Sequence, residues 1–307
     1  MSSSTTGETR VWRARATPLM TQELTTSAVL LFPSLFLLAV VIAYPIAQGF
    51  LYTFTDSSLF RFGDFVGTEN YGRLLQDRAF WHSLAFSAIF ALINVVGCYL
   101  LGLGLALMLQ KNFPGCGLFR VLLLVPWIVP SQVAVVSWRW MVSDNGALAN
   151  KVIAAFGGNP IYFLSNGNWT ILIVILIKIW VSFPFMMLSL LAALQTVDRS
   201  LYEAAEIDGA TRWHAFIHVT MPEIRGISIV FCILMTIWTV NDFDTPWLLA
   251  RGGPANATEN LVVLAYRYTV ARNDVGMGAT VSFVTLFILM GLFLKVMRLT
   301  KGEHHAH

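Results

Sequence analysis

Charged residues are scarce in this chain of 307 residues. Asp, Glu, Lys and Arg together make up 12% of it, whereas 56% of the residues are hydrophobic. An ordinary soluble domain carries about twice that share of charge. A soluble protein this apolar could not cover its surface with polar groups. The composition therefore predicts an integral membrane protein, which has the lipid bilayer as its partner.

Cysteine is also rare, and no run of basic residues is interleaved with aromatic ones. The three cysteines, Cys98, Cys116 and Cys232, lie far apart, and Cys98 and Cys232 sit inside apolar stretches. This placement favours small buried side chains over a disulfide or a metal site. The net charge of only +3 does not suggest a nucleic-acid partner.

Six apolar stretches are long enough to cross a bilayer. They cover 24–55, 79–110, 121–138, 169–194, 226–249 and 275–294. About 20 apolar residues cross the roughly 30 Å of hydrocarbon, and every backbone polar group in a span must pair internally. We therefore predict an all-α integral membrane protein with six transmembrane helices. One membrane domain, 24–297, would lie between an N-terminal segment, 1–23, and a short tail, 298–307.

Basic residues flank the first and last spans. Three arginines precede the first span, and Lys295, Arg298 and Lys301 come just after the sixth. An even number of spans places both termini on one side, and basic residues favour the cytoplasm. We therefore predict that both termini are cytoplasmic.

The loop between the fourth and fifth spans, 198–225, begins with a helix signal. Ser200 and Glu203 form an S-x-x-E capping box, in which each side chain satisfies a free backbone N–H. This pattern predicts a helix over 201–208. Gly209 can take a positive φ and end that helix.

A second short helix is predicted directly afterwards. Thr211 can cap a helix over 212–220, and Pro222 follows its end. Trp213, Phe216 and Ile217 form an apolar stripe on this helix. A stripe on so short a helix needs a partner, which on physical grounds is the ends of the membrane helices, the bilayer surface or another protein.

The same loop resembles a known family. E-A-A-x-x-D-G-A, followed by an aromatic-rich helix and a proline before the penultimate span, looks like the coupling loop of permease subunits of binding-protein-dependent ABC importers. The matching positions are Glu203, Ala204, Ala205, Asp208, Gly209, Ala210, Phe216, Ile217 and Pro222, with Trp213 in the same aromatic helix.

The resemblance implies that the loop inserts into a cleft on a cytoplasmic ATPase. Glu203 and Asp208 would make polar contacts there or brace the loop, and Glu203 can also serve as a helix cap. Gly209 would permit the bend, and the small Ala204 and Ala205 would permit close approach.

The chain lacks a nucleotide-binding motif of its own. A P-loop needs Gly-Lys followed by Ser or Thr, and none of the five lysines follows a glycine. The resemblance therefore implies a transport subunit without catalytic residues or a bound cofactor, in which ATP and Mg²⁺ are used by two separate cytoplasmic ATPase subunits. It also implies a second homologous permease, an extracytoplasmic solute-binding protein and a bacterial cytoplasmic membrane.

Two further segments are similar to carbohydrate-type permeases. One is 65–84, which leads into the second span. The other follows the fifth span and contains Gly252, Gly253, Pro254 and Thr258. The resemblance covers about 25–297 and is nearest to the first permease of importers for maltose-like sugars and glycerol-3-phosphate. It implies import of a sugar or sugar-like solute by alternating access, and a non-carbohydrate solute stays open.

Polar side chains inside the spans are costly and mark function by default. The candidates for a substrate pathway are Asn94, Lys178, Asn241, Asp242, Asp244 and Trp247. Amides and carboxylates suit sugar hydroxyls, and the rings of Trp238 and Trp247 could stack on a sugar face. In the alternative interpretation, Lys178 pairs with an aspartate and locks two helices, and the two aspartates lie near the outer surface where water hydrates them.

Two rival classes use the same residues differently. An ion-gradient-driven secondary carrier could use Lys178 and the aspartates as a proton relay, but it has no need of the helix pair in 198–225. A membrane-embedded enzyme would need a metal or nucleophile cluster within the spans. His214 and His218 are four residues apart, but they fall on the predicted coupling helix. The remaining histidines of interest, His304, His305 and His307, end the chain, where we predict no metal site.

Overall fold

The computed structural model describes residues 18–111, 113–143 and 146–303. Within them the chain is helical, and the extended pairing is confined to two isolated bridges. Parts of the predicted segments 1–23 and 298–307, including the three terminal histidines, lie outside the described residues.

The chain divides into two compact units between Leu51 and Tyr52. The first unit contains nearly all of helix α1, Pro18–Tyr52, which includes Pro33 and Pro45. Proline inside a helix is tolerated in a membrane because neighbouring groups satisfy the freed carbonyl. The large apolar side chains of α1 from Val29 onward are exposed, as a helix facing lipid requires.

The second unit contains the remaining helices. They are α2 Glu69–Gln76, α3 Arg78–Leu109, α4 Cys116–Ile128, α5 Ser131–Val142, α6 Leu148–Ala155, α7 Gly167–Gln195, α8 Arg199–Ile207, α9 Arg212–Ala215, α10 Met221–Val240, α11 Asp244–Ala250, α12 Leu261–Tyr266 and α13 Val275–Glu303. A π-helical turn, Phe216–Thr220, joins α9 to α10, and a second one, Arg267–Ala271, follows α12.

Five of the described helical segments are long and apolar enough to cross a membrane. They are Val29–Tyr52, Arg78–Leu109, Gly167–Gln195, Arg212–Ala250 and Val275–Arg298. A sixth span is obtained if α4 and α5 count as one broken span. The prediction of an all-α membrane protein is confirmed, with five or six spans according to how this pair is counted.

The third span is not the continuous helix predicted over 121–138. Helix α4 ends at Ile128, α5 begins at Ser131, and the two axes differ by 89°. The cause is Pro130, which lacks an N–H and forces the preceding residue away from helical geometry. Val129 accordingly has an extended backbone, with φ −68° and ψ 131°.

Helices α3 and α7 form the centre of the second unit and pack along much of their length. Two glycines of α3 allow their close approach. A Cβ atom at Gly102 would lie 2.9 Å from the backbone nitrogen of Met187, and one at Gly97 would lie 2.6 Å from Ile179. The fully buried Met186 and Leu190 fill the adjoining core. This central pair holds the side chains of the candidate site in place.

Candidate functional site

The loop between α7 and α10 starts with a capped helix, but the cap differs from the predicted one. Asp198, not Ser200, is the N-cap of α8, and its carboxylate accepts a hydrogen bond from the Ser200 backbone N–H at 2.9 Å. The bonds from Ser200 hold the pKa of Asp198 below its ordinary value. Glu203 therefore does not close a capping box; its carboxylate pairs with Arg199 at 3.1 Å on the exposed face of the helix.

Gly209 ends α8 as predicted. Its φ is +76°, a left-handed conformation that disfavours residues with a Cβ. The Gly209 N–H donates to the Glu206 carbonyl, and the Ala210 N–H donates to the Ala205 carbonyl. These two hydrogen bonds form a Schellman motif. Thr211 then caps α9 by accepting from the His214 N–H at 3.3 Å.

The second helix of the loop does not end at Thr220, as the sequence predicted. It continues through the π-helical turn into α10, and Pro222 lies in the first turn of α10 instead of terminating the helix. In the π-helical turn the Met221 N–H donates to the Phe216 carbonyl, five residues earlier. Proline is tolerated early in a helix segment because its missing N–H is needed less there.

The predicted coupling residues divide into an exposed face and an inner face. Glu203, Ala204, Asp208, Gly209 and Trp213 are exposed, and Ala205, Ala210 and Phe216 are half-buried. The Trp213 ring is 66% exposed and stacks on Phe216, which itself packs against the membrane core. Ile207, which the sequence analysis did not single out, is 86% exposed at the end of α8.

A contact not found from the sequence holds α8 against the membrane helices. The Tyr202 hydroxyl lies 2.9 Å from the Thr220 hydroxyl at the base of α10. The loop is thus a braced pair of short helices that presents an apolar and acidic surface. Such a surface suits a groove on another protein.

A cavity of about 270 Å³ lies among the membrane helices. Its lining is Trp127, Val129, Ser131, Lys178, Val181, Ser182, Phe185, Met235, Trp238 and Thr239. The Trp238 and Phe185 rings are 4.8 Å apart and the Trp127 and Phe185 rings 6.1 Å apart, measured between centroids. One wall is therefore aromatic, and the remainder combines the hydroxyl groups and Lys178 with the apolar Val129, Val181 and Met235.

Lys178 is ion-paired in this cavity. Its Nζ lies 3.1 Å from Asp242, and both side chains are nearly buried, at 13% and 8% exposed. The interpretation in which Lys178 pairs with an aspartate and joins two helices is therefore confirmed. The suggestion that hydration stabilises Asp242 is wrong, because its carboxylate is buried and the lysine compensates its charge.

Asp242 and Asp244 both lie at a helix break, where α10 ends and α11 begins. Asp244 accepts from the Ser131 hydroxyl at 2.6 Å and from the Gln132 side chain at 2.9 Å. Ser131 and Gln132 open α5, directly after Pro130. The breaks of the third and fifth spans are therefore tied to each other beside the cavity.

The other predicted pathway residues stand outside the cavity lining. Asn94 is fully buried and donates to the Thr239 hydroxyl at 2.7 Å, so it joins α3 to α10. Asn241 donates to the Ile237 carbonyl of its own helix. Trp247 stacks with Phe243 and contacts Tyr266 edge-on. Of the six predicted residues, only Lys178 lines the cavity, and its aromatic wall was missed apart from Trp238.

The glycine-rich turn after α11 is structural. Gly252 has a φ of +76°, and the buried Thr258 donates to the carbonyls of Gly252 and Gly253. Beside it the buried carboxylate of Glu259 pairs with Arg267. Burial raises the pKa of Glu259, and the Arg267 charge opposes that rise.

Comparison with known proteins places this geometry in a family. Residues 98–299 match the family described as binding-protein-dependent transport system inner membrane component. The chain is 33% identical over 277 residues to the sulfoquinovosyl glycerol transport system permease protein SmoG of Agrobacterium fabrum, covering 89% of this chain and 90% of SmoG. It is 35% identical to the trehalose/maltose transport system permease protein MalF of Thermococcus litoralis, covering 76% of this chain and 80% of MalF.

Solved structures share the fold. A chain of a bacterial ABC transporter involved in the import of the acidic polysaccharide alginate superposes with a TM-score of 0.79 at 18% sequence identity, covering 92% of this chain and 98% of that one. At such identity the likeness concerns the fold. The family match spans more than half of this sequence and agrees with the helix pair between α7 and α10. The chain belongs to the family of binding-protein-dependent transport system inner membrane components.

Proposed function

We propose that this permease takes up a sugar or sugar-like solute by alternating access, driven by two cytoplasmic ATPase subunits that bind the loop 198–225. The observation that carries the coupling role is the braced helix pair, with Ile207, Trp213 and Glu203 exposed. The chain has no Gly-Lys-Ser/Thr segment, so ATP and Mg²⁺ belong to the partner subunits. A second homologous permease completes the pathway, and both termini are cytoplasmic.

A carbohydrate is the solute best supported by the membrane cavity and by the relatives. The names of two relatives refer to sulfoquinovosyl glycerol and to trehalose and maltose. The cavity pairs an aromatic wall of Trp127, Phe185 and Trp238 with hydroxyl donors and Lys178. Rings that cover an apolar sugar face and polar groups that bind its hydroxyls are the usual composition of a small-molecule site.

The coupling role is tested by two substitutions on one ion pair. Glu203→Lys reverses an exposed charge in the proposed ATPase contact, so we expect loss of uptake and of solute-stimulated ATP hydrolysis in proteoliposomes that contain all partner chains. Arg199→Ala breaks the same ion pair but leaves the Glu203 carboxylate in place, and it should transport normally. An exposed pair of this kind contributes only about 0.5 kcal/mol, so neither variant should unfold.

The same proteoliposomes distinguish the proposal from its alternatives. Uptake should require ATP and should survive an uncoupler. Uptake that continues without the ATPase and collapses with an uncoupler would indicate a secondary carrier. A panel of neutral sugars, anionic sugars and polyols, supplied with the solute-binding protein, then tests the carbohydrate assignment, which a purely non-carbohydrate cargo would contradict.

A further inference from the structure

A short hairpin follows the end of α1 and precedes α2. We define residues 53–66 as the aromatic hairpin. Isolated bridges pair Thr55 with Phe65 and Ser58 with Arg61. A Cβ atom at Gly63 would come within 2.5 Å of the Asp56 carbonyl carbon, so the turn closes only around a glycine. The Gly63 N–H also donates to the Ser57 hydroxyl at 2.9 Å. The hairpin is therefore held in one shape.

This ordered hairpin exposes three phenylalanines. Phe60 is 93% exposed, Phe65 79% and Phe62 65%, and Leu59 at the tip is half-exposed. An exposed cluster of large apolar side chains on a well-defined turn marks a surface that meets lipid or protein. Of the nearby charges, Arg61 pairs with Asp56 at 3.3 Å, and Asp64 is one further exposed carboxylate.

Hydrogen bonds fix the hairpin to the start of the sixth span. The Val275 N–H donates to the Ser57 carbonyl at 2.9 Å, and the Leu59 N–H donates to the Asn273 side chain at 3.0 Å. The span Val275–Arg298 has 24 residues, about 36 Å of helix against roughly 30 Å of hydrocarbon. A helix longer than the hydrocarbon extends into the headgroup layer, and we infer that its first turn, with the aromatic hairpin, lies in that layer.

The hairpin also stands apart from the transport cavity. Helices α4, α5, α7 and α10 line the cavity, and no residue of 53–66 does. Counting the α4–α5 pair as one span, three spans separate the hairpin from the loop 198–225, so the two lie on opposite sides of the membrane. Apolar side chains such as Phe and Leu on an interfacial segment bury at the boundary between the headgroups and the acyl chains.

We propose that the aromatic hairpin inserts Phe60, Phe62 and Phe65 into the interfacial lipid layer opposite the coupling loop and anchors the start of the sixth span at that depth. The hairpin would enter the ordinary bilayer interface and would not bind a particular charged headgroup, because it presents apolar rings and no unpaired cluster of charge. This inference does not depend on the transported solute.

A fluorophore at Phe60 tests the anchor. The three native cysteines are replaced, Phe60→Cys is labelled with an environment-sensitive dye, and the full-length permease is placed in lipid nanodiscs that carry nitroxide-labelled headgroups. Because Phe60 is 93% exposed, its replacement should not disturb folding. We expect a blue-shifted emission and strong quenching by the nitroxide lipids. Ile207→Cys, 86% exposed on the coupling loop, is the matched control and should remain in water.

Three results would overturn the proposal. The first is water-like emission from the Phe60 label with no quenching by lipid. The second is equal quenching of the labels at positions 60 and 207, which would show that any exposed apolar site on the protein meets the labelled lipid. The third is shielding of the Phe60 label only after a solute-binding protein is added, which would make the hairpin a protein contact.

Discussion

At the scale of single residues, the ion pair between Lys178 and Asp242 is nearly buried, so removing one partner is costly. Moving a charge out of water costs several kcal/mol, and that cost is offset only while the partner charge remains at hand. Asp242 also accepts from the Thr245 N–H at the start of α11, and its carbonyl accepts from Asn260. Through its carboxylate and its backbone carbonyl, Asp242 thus joins α7, the break in the fifth span and the start of α12.

Lys178→Met should destabilise the protein by about 3–5 kcal/mol, because it leaves the Asp242 carboxylate buried without a partner. The double variant Lys178→Met, Asp242→Asn removes both charges and keeps an acceptor for the Thr245 N–H, so it should recover most of that loss. Thermal unfolding of the detergent-solubilised protein measures both. A double variant no more stable than the single one would contradict the ion-pair account.

At the scale of elements, the short helix α8 depends on a carboxylate cap that the sequence pattern misassigned. Ser200 fits the S-x-x-E pattern, but Asp198 lies two residues earlier and is an equally good cap. Its backbone is extended, with φ −66° and ψ 129°, as an N-cap requires. The choice between two adjacent candidates depends on where the preceding span ends, which local sequence does not specify.

The Asp198 cap should respond to pH. Its folded-state pKa is below the ordinary 3.8. The stability it confers is therefore present above the ordinary pKa and is lost as the pH falls through the lower, folded-state value. Hydrogen exchange of the 198–207 amides, corrected for intrinsic rate, should reveal increased opening of α8 under acid. Asp198→Asn keeps a capping oxygen that does not titrate, and Asp198→Ala should open α8 at every pH. Equal acid sensitivity in the Asn variant would contradict this assignment.

The broken spans show a second limit at the same scale. Apolar composition predicts that a segment crosses the membrane, but it does not predict that the segment bends. Composition alone therefore predicts one continuous helix over 121–138. Pro130 was a visible signal for the break, whereas the π-helical turn Phe216–Thr220 has no sequence signal that we recognise. The Gly209 stop and the Thr211 cap were predictable because glycine conformation and capping are local properties.

At the scale of the whole molecule, hydropathy and one loop motif were sufficient to predict the membrane class and the family. The predicted six spans are obtained when α4 and α5 count as one broken span. They did not predict the cavity. Trp127, Phe185 and Trp238 come from three different spans, and only tertiary packing brings their rings together. Polarity within a span picked out Lys178, which lines the cavity, but it also selected Asn94, which joins α3 to α10. A buried polar residue signals an unusual contact without saying whether the contact is to solute or to protein.

The tie between Asp244 and Ser131 leads to a prediction about motion. If the α4–α5 break and the α10–α11 break move together during transport, a short cross-link between them should leave transport intact. In a background without native cysteines, Ser131→Cys and Asp244→Cys are joined by a short bifunctional thiol reagent, and ATP-driven uptake is measured before and after reduction. Uptake that is blocked by the cross-link and restored by reduction would show that the two breaks separate during transport.

The uninterrupted passage from α9 through the π-helical turn into α10 has a mechanical consequence. From Arg212 to Val240 the chain forms a rod about 40 Å long, with Trp213 near one end and Trp238 and Thr239 near the other. A tilt of about 5° about one end of such a rod displaces the other by about 3–4 Å. That displacement is comparable with the donor–acceptor distance of a hydrogen bond to a sugar hydroxyl. A rotation of a few degrees imposed at the loop end would therefore move the cavity wall by several ångströms without any helix having to unfold.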